Sequence, residues 1–214
     1  MAVKNDSLVV FGSYRASFGN GTVNVIQPCI WRITSSSNVS VIVPENSMIT
    51  DVFFPFNFFT PYGDANNQHT YMISSANSGR TDSLYIWTEQ GRYFTINIPY
   101  LTQYLAHKCK IDDQGNLYIF YAVTIPSSHV AIVKITPQKQ IKNLPISIPA
   151  GYEGSARGMD VLGNEYVFGV VYYDPKKPYY ENYGFIQKND MRIPLHIANN
   201  SLGIEVNCTR IFKK

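Results

Sequence analysis

The stretch that decides the fold is ARGMDVLGNEYVFG, residues 156–169, together with the short strand GFI at 184–186. A segment in which apolar and polar residues alternate is followed by a Gly-Asn turn and an apolar strand. A partner strand comes after a polar stretch. Apolar runs bounded by turn residues are typical of strands that pair as antiparallel hairpins. The rest of the chain repeats this order of segments.

Four units share the apolar strand and its partner. The apolar strands lie at 8–12, 70–74, 117–121 and 166–169, and the partner strands at 29–31, 85–87, 131–133 and 184–186. The ends of the partner strands are spaced by 56, 46 and 53 residues. A repeat of this size is typical of stacked or circular repeat architectures.

Each unit also contains further β-rich segments. Third strands are predicted at 39–43, 93–98, 141–146 and 191–195, and alternating leading strands at 49–53, 106–111 and 156–161. Four strands per unit are typical of a propeller blade. The first unit has no leading strand, whereas a surplus alternating segment lies at 203–211. We therefore expect the C-terminal strand to pair with the N-terminal blade and close the ring, which leaves no open sheet edge.

These patterns predict an all-β fold, a single four-bladed β-propeller domain over residues 1–214. Its blades would span 203–214 plus 7–45, 46–100, 101–150 and 151–200. Five blades would need a mean spacing of about 43 residues, which the units exceed. A two-sheet β-sandwich or jelly roll whose strands are periodic by accident is the alternative.

The fourth unit resembles the HAF-type repeats of bacterial extracellular proteins, in which an Asn-Gly-type turn leads to a Val-Val-Gly strand and then to an Ala-Phe-x-Trp strand. The first unit is similar at Val9-Val10-Phe11-Gly12 and Cys29-Ile30-Trp31-Arg32. The third keeps the turn Gln114-Gly115-Asn116 and the strand after it. The resemblance implies a fixed order of turns and strands in each repeat and a β-propeller fold. It implies no particular chemistry.

The composition limits the classes of partner. Charged residues make up only 15% of the chain and the formal net charge is +3, too weak and dispersed for a nucleic-acid partner. No apolar stretch approaches the roughly 20 residues of a membrane span. Cys29, Cys109 and Cys208 have no metal-ligand spacing and predict buried thiols. We expect a secreted or cell-surface monomer without a metal or cofactor.

Variable polar loops between the second and third strands of each unit would lie on one rim of the propeller. The loop at 172–183 contains five Tyr, whose rings offer a large contact area at a small cost in side-chain entropy. These rings either contact a sugar or a partner protein, or they pack on the loop itself. The candidate ligand-binding residues are Tyr14, Arg15, Arg80, His129, Tyr172, Tyr173, Lys177 and Tyr179.

The leading strands would line a central channel. Its polar candidates are Asp51, Lys108, Arg157, Asp160, Glu205 and Arg210. Opposite charges across a narrow channel would pair as a polar plug, and without a run of carboxylates a cation site is not favoured.

The motifs of common hydrolases are missing from the sequence, including G-x-S-x-G and H-E-x-x-H. His107 and Cys109 share one side of a strand but have no evident third group to orient them. The sequence therefore favours a non-catalytic binding module that presents Tyr-rich loops to a protein or a glycan. The alternative is a secreted glycoside-active enzyme, a hydrolase or lyase, that uses Asp51, Asp160 or Glu205 at the channel mouth.

Overall fold

The computed structural model describes residues 1–18, 23–35, 37–43, 49–51, 62–77, 82–97, 101–123, 129–144, 146, 148–163, 165–177 and 182–195. Among these residues there is no helix of the length and hydropathy needed to cross a membrane. The chain divides into two compact units, Met1–Ile111 and Asp112–Lys214. Each unit has its own hydrophobic core.

Four antiparallel sheets account for the described strands. The first contains β1 (Ala2–Lys4), β2 (Ser7–Phe18), β3 (Val23–Ser35), β4 (Asn38–Ile42) and β5 (Ile49–Asp51), and the second contains β6 (Tyr62–Ala65), β7 (Thr70–Asn77), β8 (Asp82–Thr88) and β9 (Gly91–Asn97). The third contains β10 (Leu101–Ile111), β11 (Leu117–Val123), β12 (His129–Ile135) and β13 (Ile141–Leu144). The fourth contains β14 (Glu153–Leu162), β15 (Glu165–Tyr173), β16 (Asn182–Lys188) and β17 (Met191–Leu195).

Each sheet is a meander in which strands adjacent in sequence pair, with the addition of β5, which pairs with β3. The all-β prediction is confirmed, and every predicted first, partner and third strand coincides with an observed strand. These strands were predictable because their apolar runs are buried, as from Tyr166 to Val170 in β15. The described sheets number four, not the two of the sandwich alternative.

The N-terminal segment differs from the prediction. The first unit does have a leading strand, since β1 pairs with β2 from Ala2 opposite Val9 to Lys4 opposite Ser7. Asn5 and Asp6 form the two-residue turn with φ values of 47° and 60°, a left-handed conformation that Asn and Asp tolerate. The predicted closing strand at 203–211 lies outside the described residues.

The predicted leading strand of the second unit is wrong. Ile49–Asp51 pairs with β3 at Asn24 to Ile26, and Tyr62–Ala65 is the edge strand of the second sheet. The reason lies in the length of β3, which has 13 residues. Because β4 pairs only from Ile30 onward, the first half of β3 has backbone groups that need another partner, and β5 supplies it. Asp51 thus belongs to the first sheet.

Several residues predicted to lie in loops are in strands. β2 continues to Phe18, so Tyr14 pairs with Gln27 and Arg15 with Ile26. The alternating, β-branched run at 23–27 favours this extension of the hairpin. Tyr172 and Tyr173 are the last residues of β15, and His129 is the first residue of β12.

The core of each unit forms where the apolar faces of its strands meet. In the first unit Val9 and Ile30 of the first sheet pack with Met72 and Trp87 of the second. In the second unit the core joins Tyr118, Ile132 and Leu144 to residues of the fourth sheet; these are Met159, Tyr166, Phe168, Val170 and Phe185. No sheet of this size buries its apolar residues alone.

Replacing Gly63 with alanine is expected to destabilise the first unit by about 1–3 kcal/mol. A methyl group at this position would overlap the Phe11 ring, so the second sheet could not approach the first as closely. Urea unfolding of Gly63→Ala measures the loss. In the double variant Phe11→Ala/Gly63→Ala the overlap is gone, so the combined loss should be smaller than the sum of the single losses. Additive losses would contradict this packing.

Candidate functional site

Three tyrosines form an aromatic cluster at one end of the fourth sheet. Tyr172, near the end of β15, lies opposite Tyr183, near the start of β16, and their rings stack at 5.6 Å with an interplanar angle of 23°. Tyr152 meets both rings edge-on, at 5.6 Å from Tyr172 and 6.0 Å from Tyr183. We call Tyr152, Tyr172 and Tyr183 the tyrosine cluster.

The tyrosine cluster extends the core of the second unit to the surface. Tyr172 packs against that core, and its ring lies 6.1 Å from the buried Phe185. Tyr183 has 38% of its surface exposed. One tyrosine is therefore open to solvent while two others hold it in place.

A turn after β15 places cations on the surface of the same unit. The Lys176 N–H donates to Asp174 Oδ1 at 3.0 Å, and the Lys177 N–H donates to the Asp174 carbonyl oxygen at 3.0 Å. Both lysines are exposed. Of the predicted ligand-binding residues, Tyr172 thus lies within the cluster, whereas Tyr173 belongs to the alternate side of β15. Tyr179 and Arg80 are outside the described residues.

A polar pocket of about 90 Å³ lies in the first unit, where the strand ends near the β1–β2, β6–β7 and β8–β9 turns meet. We call it the turn pocket. Its lining includes Lys4, His69, Thr70 and Glu89, with neutral polar side chains beside them. Those neutral side chains are Gln68, Thr88 and Gln90.

Glu89 is the centre of a hydrogen-bonded network at the turn pocket. Its Oε1 accepts from Arg32 Nη2 at 2.7 Å, from the Thr70 hydroxyl at 2.9 Å and from Lys4 Nζ at 3.3 Å. Lys4 Nζ also donates to Thr70 Oγ1 at 2.9 Å. Burial alone would raise the pKa of Glu89, but the Thr70 hydrogen bond and the charges of Lys4 and Arg32 outweigh it and lower the pKa.

His69 is held beside this network by the β6–β7 turn. Its backbone N–H donates to Asn66 Oδ1 at 2.7 Å, and its ring stacks on Tyr71 with centroids 6.1 Å apart. Within the described part of the chain, His69 Nδ1 is buried and has no hydrogen-bond partner. A buried polar atom in this state is costly unless water or a ligand satisfies it.

Asp112 is fully buried but plays a structural role. Its carboxylate accepts from the backbone N–H groups of Gln114 and Asn116 at 3.0 and 2.8 Å, from Asn116 Nδ2 at 2.7 Å and from the Tyr118 hydroxyl at 3.2 Å. Lys134 Nζ lies 3.9 Å from it. Burial and the negative charge of Asp112 raise the pKa of Tyr118. The carboxylate is thus used to fix the turn before β11.

The predicted channel residues are spread over different strands. Lys108 lies in β10, Arg157 and Asp160 lie in β14, and a register shift of β14 falls between Arg157 and Met159. Asp51, in β5, has no place in the second sheet, where the prediction put it. Glu205 and Arg210 are outside the described residues. Of the three acids in the predicted enzyme alternative, Asp51 and Asp160 thus lie in different sheets, and Glu205 is outside the described residues.

The His107–Cys109 pair lies in β10, and Cys109 is buried. Burial and the charge of Asp64 raise the pKa of the Cys109 thiol far above its ordinary value. A thiol in this environment is a poor nucleophile, because the thiolate is the reactive form. Cys29 is also buried, and neither residue forms a disulfide. The prediction of buried thiols is confirmed for these two, and Cys208 lies outside the described residues.

Sequence reasoning missed several residues of the tyrosine cluster and of the hydrogen-bonded network around Glu89. Tyr183 is the cross-strand partner of Tyr172, a pairing that the turn length would have indicated had the end of β15 been known. Glu89 and Lys4 are 85 residues apart in the sequence, and no local motif marks such a pair. Asp112, two residues before Gln114, carried a signal, since Asp side chains commonly accept from the backbone N–H two residues ahead.

Comparisons with known proteins identify no family. No protein-family model matches the chain, and no curated protein matches it. Among solved structures, a glycoside hydrolase is 9% identical with a TM-score of 0.38, over 92% of this chain and 76% of that one. A second structure, described as a BT0996 RGII complex, is 10% identical with a TM-score of 0.38, over 91% of this chain and 75% of that one. A likeness at this level supports no argument about fold or function.

Asp64 is expected to make stability depend on pH. Burial raises its pKa above the ordinary 3.8, more than Lys110 and the backbone N–H groups of Ile111 and Ala65 lower it. The stabilisation from protonated Asp64 is fully present below pH 3.8 and is lost as the pH rises through the raised pKa. The loss is about 1.4 kcal/mol for each unit between the folded and unfolded pKa values.

The variant Asp64→Asn tests this expectation. Its amide oxygen can still accept from the Ile111 N–H, which donates to Asp64 Oδ2 at 2.9 Å, but it does not titrate. Melting temperatures measured from about pH 3 to about pH 8 should fall with pH more steeply in the native protein than in Asp64→Asn. Equal slopes would show that Asp64 titrates normally.

Proposed function

We propose that this protein is a non-catalytic glycan-binding module, folded as a four-bladed β-propeller, in which a sugar ring stacks on Tyr183. The architecture is supported by four successive antiparallel meanders in sequence order. Consecutive four-stranded sheets with their apolar faces packed together are the arrangement of propeller blades. The single observation that carries the binding role is the tyrosine cluster.

Tyr183 has the properties of a stacking platform. It is 38% exposed and is the aromatic residue among the large, exposed apolar side chains of the described residues. Its stacked neighbour Tyr172 and the edge-on Tyr152 restrict its motion. A ring fixed before binding loses little entropy when a ligand covers it, so its contact area contributes more to affinity.

A glycan is favoured over a protein partner by the chemistry of the surroundings. Within the described part of the fourth sheet, the exposed ring is a single tyrosine with its hydroxyl, not an extended aromatic patch of the kind that docks proteins. The neighbouring turn supplies the exposed Lys176, whose ammonium group can donate to hydroxyl or carboxylate groups of a sugar. Stacking with a few polar contacts is a weak, specific mode suited to saccharides.

A non-catalytic role agrees with the protonation state of Cys109, the candidate nucleophile considered in the sequence analysis. The raised pKa of Cys109 keeps its thiol protonated. The buried carboxylate of Asp112 is fully engaged in fixing a turn. We therefore expect ligand binding without turnover of chromogenic glycosides.

Replacing Tyr183 with alanine should weaken glycan binding at least tenfold, a loss of about 1.4 kcal/mol. A glycan array identifies the ligand, and calorimetric titration of that ligand measures the change. Tyr183→Phe should keep most of the affinity, because it keeps the ring. Ile193→Ala is the matched control: Ile193 is 45% exposed on β17 of the same sheet, and its loss should leave affinity unchanged.

Thermal unfolding separates binding from packing. Tyr183→Ala should change the melting temperature by only a few degrees, whereas Tyr172→Ala should lower it more, because Tyr172 packs against the core. A glycan affinity that survives Tyr183→Ala contradicts the proposal. So does an array without glycan binding beside capture of one specific protein partner.

A further inference from the structure

We infer that the turn pocket of the first unit is a second binding site, which takes two neighbouring hydroxyl groups of a sugar or polyol between Glu89 and His69. It lies in a different unit from the tyrosine cluster, and it rests on the proposed function only in the class of ligand. Its polar groups come from the β1–β2, β6–β7 and β8–β9 ends.

Glu89 can accept a hydrogen bond from a ligand. The three donors that reach its carboxylate among the described residues all approach Oε1. Oε2 therefore keeps its acceptor capacity, on a side chain that is 18% exposed and lines the pocket. The contacts of Oε1 fix the carboxylate, so a ligand meets an ordered acceptor.

His69 offers the second contact. His69 lines the pocket, and its Nδ1 is buried without a hydrogen-bond partner among the described residues. The stack on Tyr71 and the backbone bond to Asn66 hold the ring in position. An imidazole nitrogen either donates to or accepts from a hydroxyl group according to its tautomer. A ligand hydroxyl that reaches this atom after a small rotation of the ring would remove the cost of leaving it unsatisfied, which makes binding more favourable.

The charges of the pocket select against ions. Glu89 already pairs with Lys4 at 3.3 Å and Arg32 at 2.7 Å, so an anion would compete with its carboxylate and a cation with the two bases. Gln68, Thr88 and Gln90 add neutral donors and acceptors. A volume of about 90 Å³ admits one edge of a sugar ring. Neutral vicinal hydroxyls match this lining in size and in hydrogen-bonding character.

Nuclear magnetic resonance of the 15N-labelled protein tests the inference residue by residue. Methyl β-galactopyranoside and methyl α-mannopyranoside are the probes, and tetrahydropyran is the matched ring without hydroxyls. We expect at least one sugar to shift the amide signals of Gln68, Thr70 and Glu89 saturably, with a Kd on the order of 1 mM. Tetrahydropyran should leave these signals in place.

Two variants assign the contacts. His69→Phe keeps a ring on Tyr71 and removes Nδ1, so it should weaken sugar binding about tenfold without lowering the melting temperature. Glu89→Gln should also weaken binding. Its matched control is Glu165→Gln, since Glu165 forms an ion pair with Lys188 at 3.0 Å outside the pocket. This control should bind as the native protein does. If Glu89→Gln does not fold, His69→Phe decides the question alone.

Three results would overturn the inference: no saturable shift with either sugar, equal shifts with tetrahydropyran, or unchanged affinity in His69→Phe. The signals of Tyr183 and its neighbours report on the other site in the same titration. Failure of the pocket signals alone rejects this inference and leaves the proposed function standing. In Tyr183→Ala the pocket signals should still respond, because the two sites lie in separate units.

Discussion

The fold depends on a limitation of small antiparallel sheets. A sheet of four short strands has two faces, and it cannot remove its apolar side chains from water without a second layer. In the first unit Trp87 and Met72 of one sheet are buried against Val9 and Ile30 of another. The two sheets must therefore approach each other closely. Gly63 allows this approach at the Phe11 ring, because it has no side chain.

Three buried or partly buried carboxylates show how a protein with few charges tolerates them. Asp112 is surrounded by donors from its own turn. Glu89 is stabilised by bases from two other strands. The charge of Lys110 and two backbone donors do not offset the burial of Asp64, whose pKa is raised. A carboxylate is thus paired with bases, as Glu89 is, hydrogen-bonded by its own turn, as Asp112 is, or protonated more readily, as Asp64 is.

Much of the fold could be predicted from the sequence, because apolar residues such as those at 117–119 and 166–168 are both strand-forming and buried. The edge strands could not. Tyr62–Ala65 contains Gly and Asp and has no apolar run, and β5 pairs as it does because β3 is longer than its partner β4. Edge pairing of this kind depends on which backbone groups remain open after the sheet forms.

The candidate sites were predictable only in part. The Tyr-rich stretch at 172–183 indicated an aromatic surface. The exposed ring is Tyr183, however, while its cross-strand partner Tyr172 on the same face packs against the core. The turn pocket carried no sequence signal. Its network joins Lys4 to Thr70 and Glu89 across 66 and 85 residues, distances over which only the tertiary structure brings side chains together.

The two buried thiols of the first unit can report how often that unit opens locally. Cys29 and Cys109 are buried in strands of different sheets, where an alkylating reagent cannot reach them while the native packing is intact. The rate at which such a reagent modifies each cysteine therefore measures how often that part of the native protein opens. Without any introduced label, the local opening of the two sheets can be followed separately in solution.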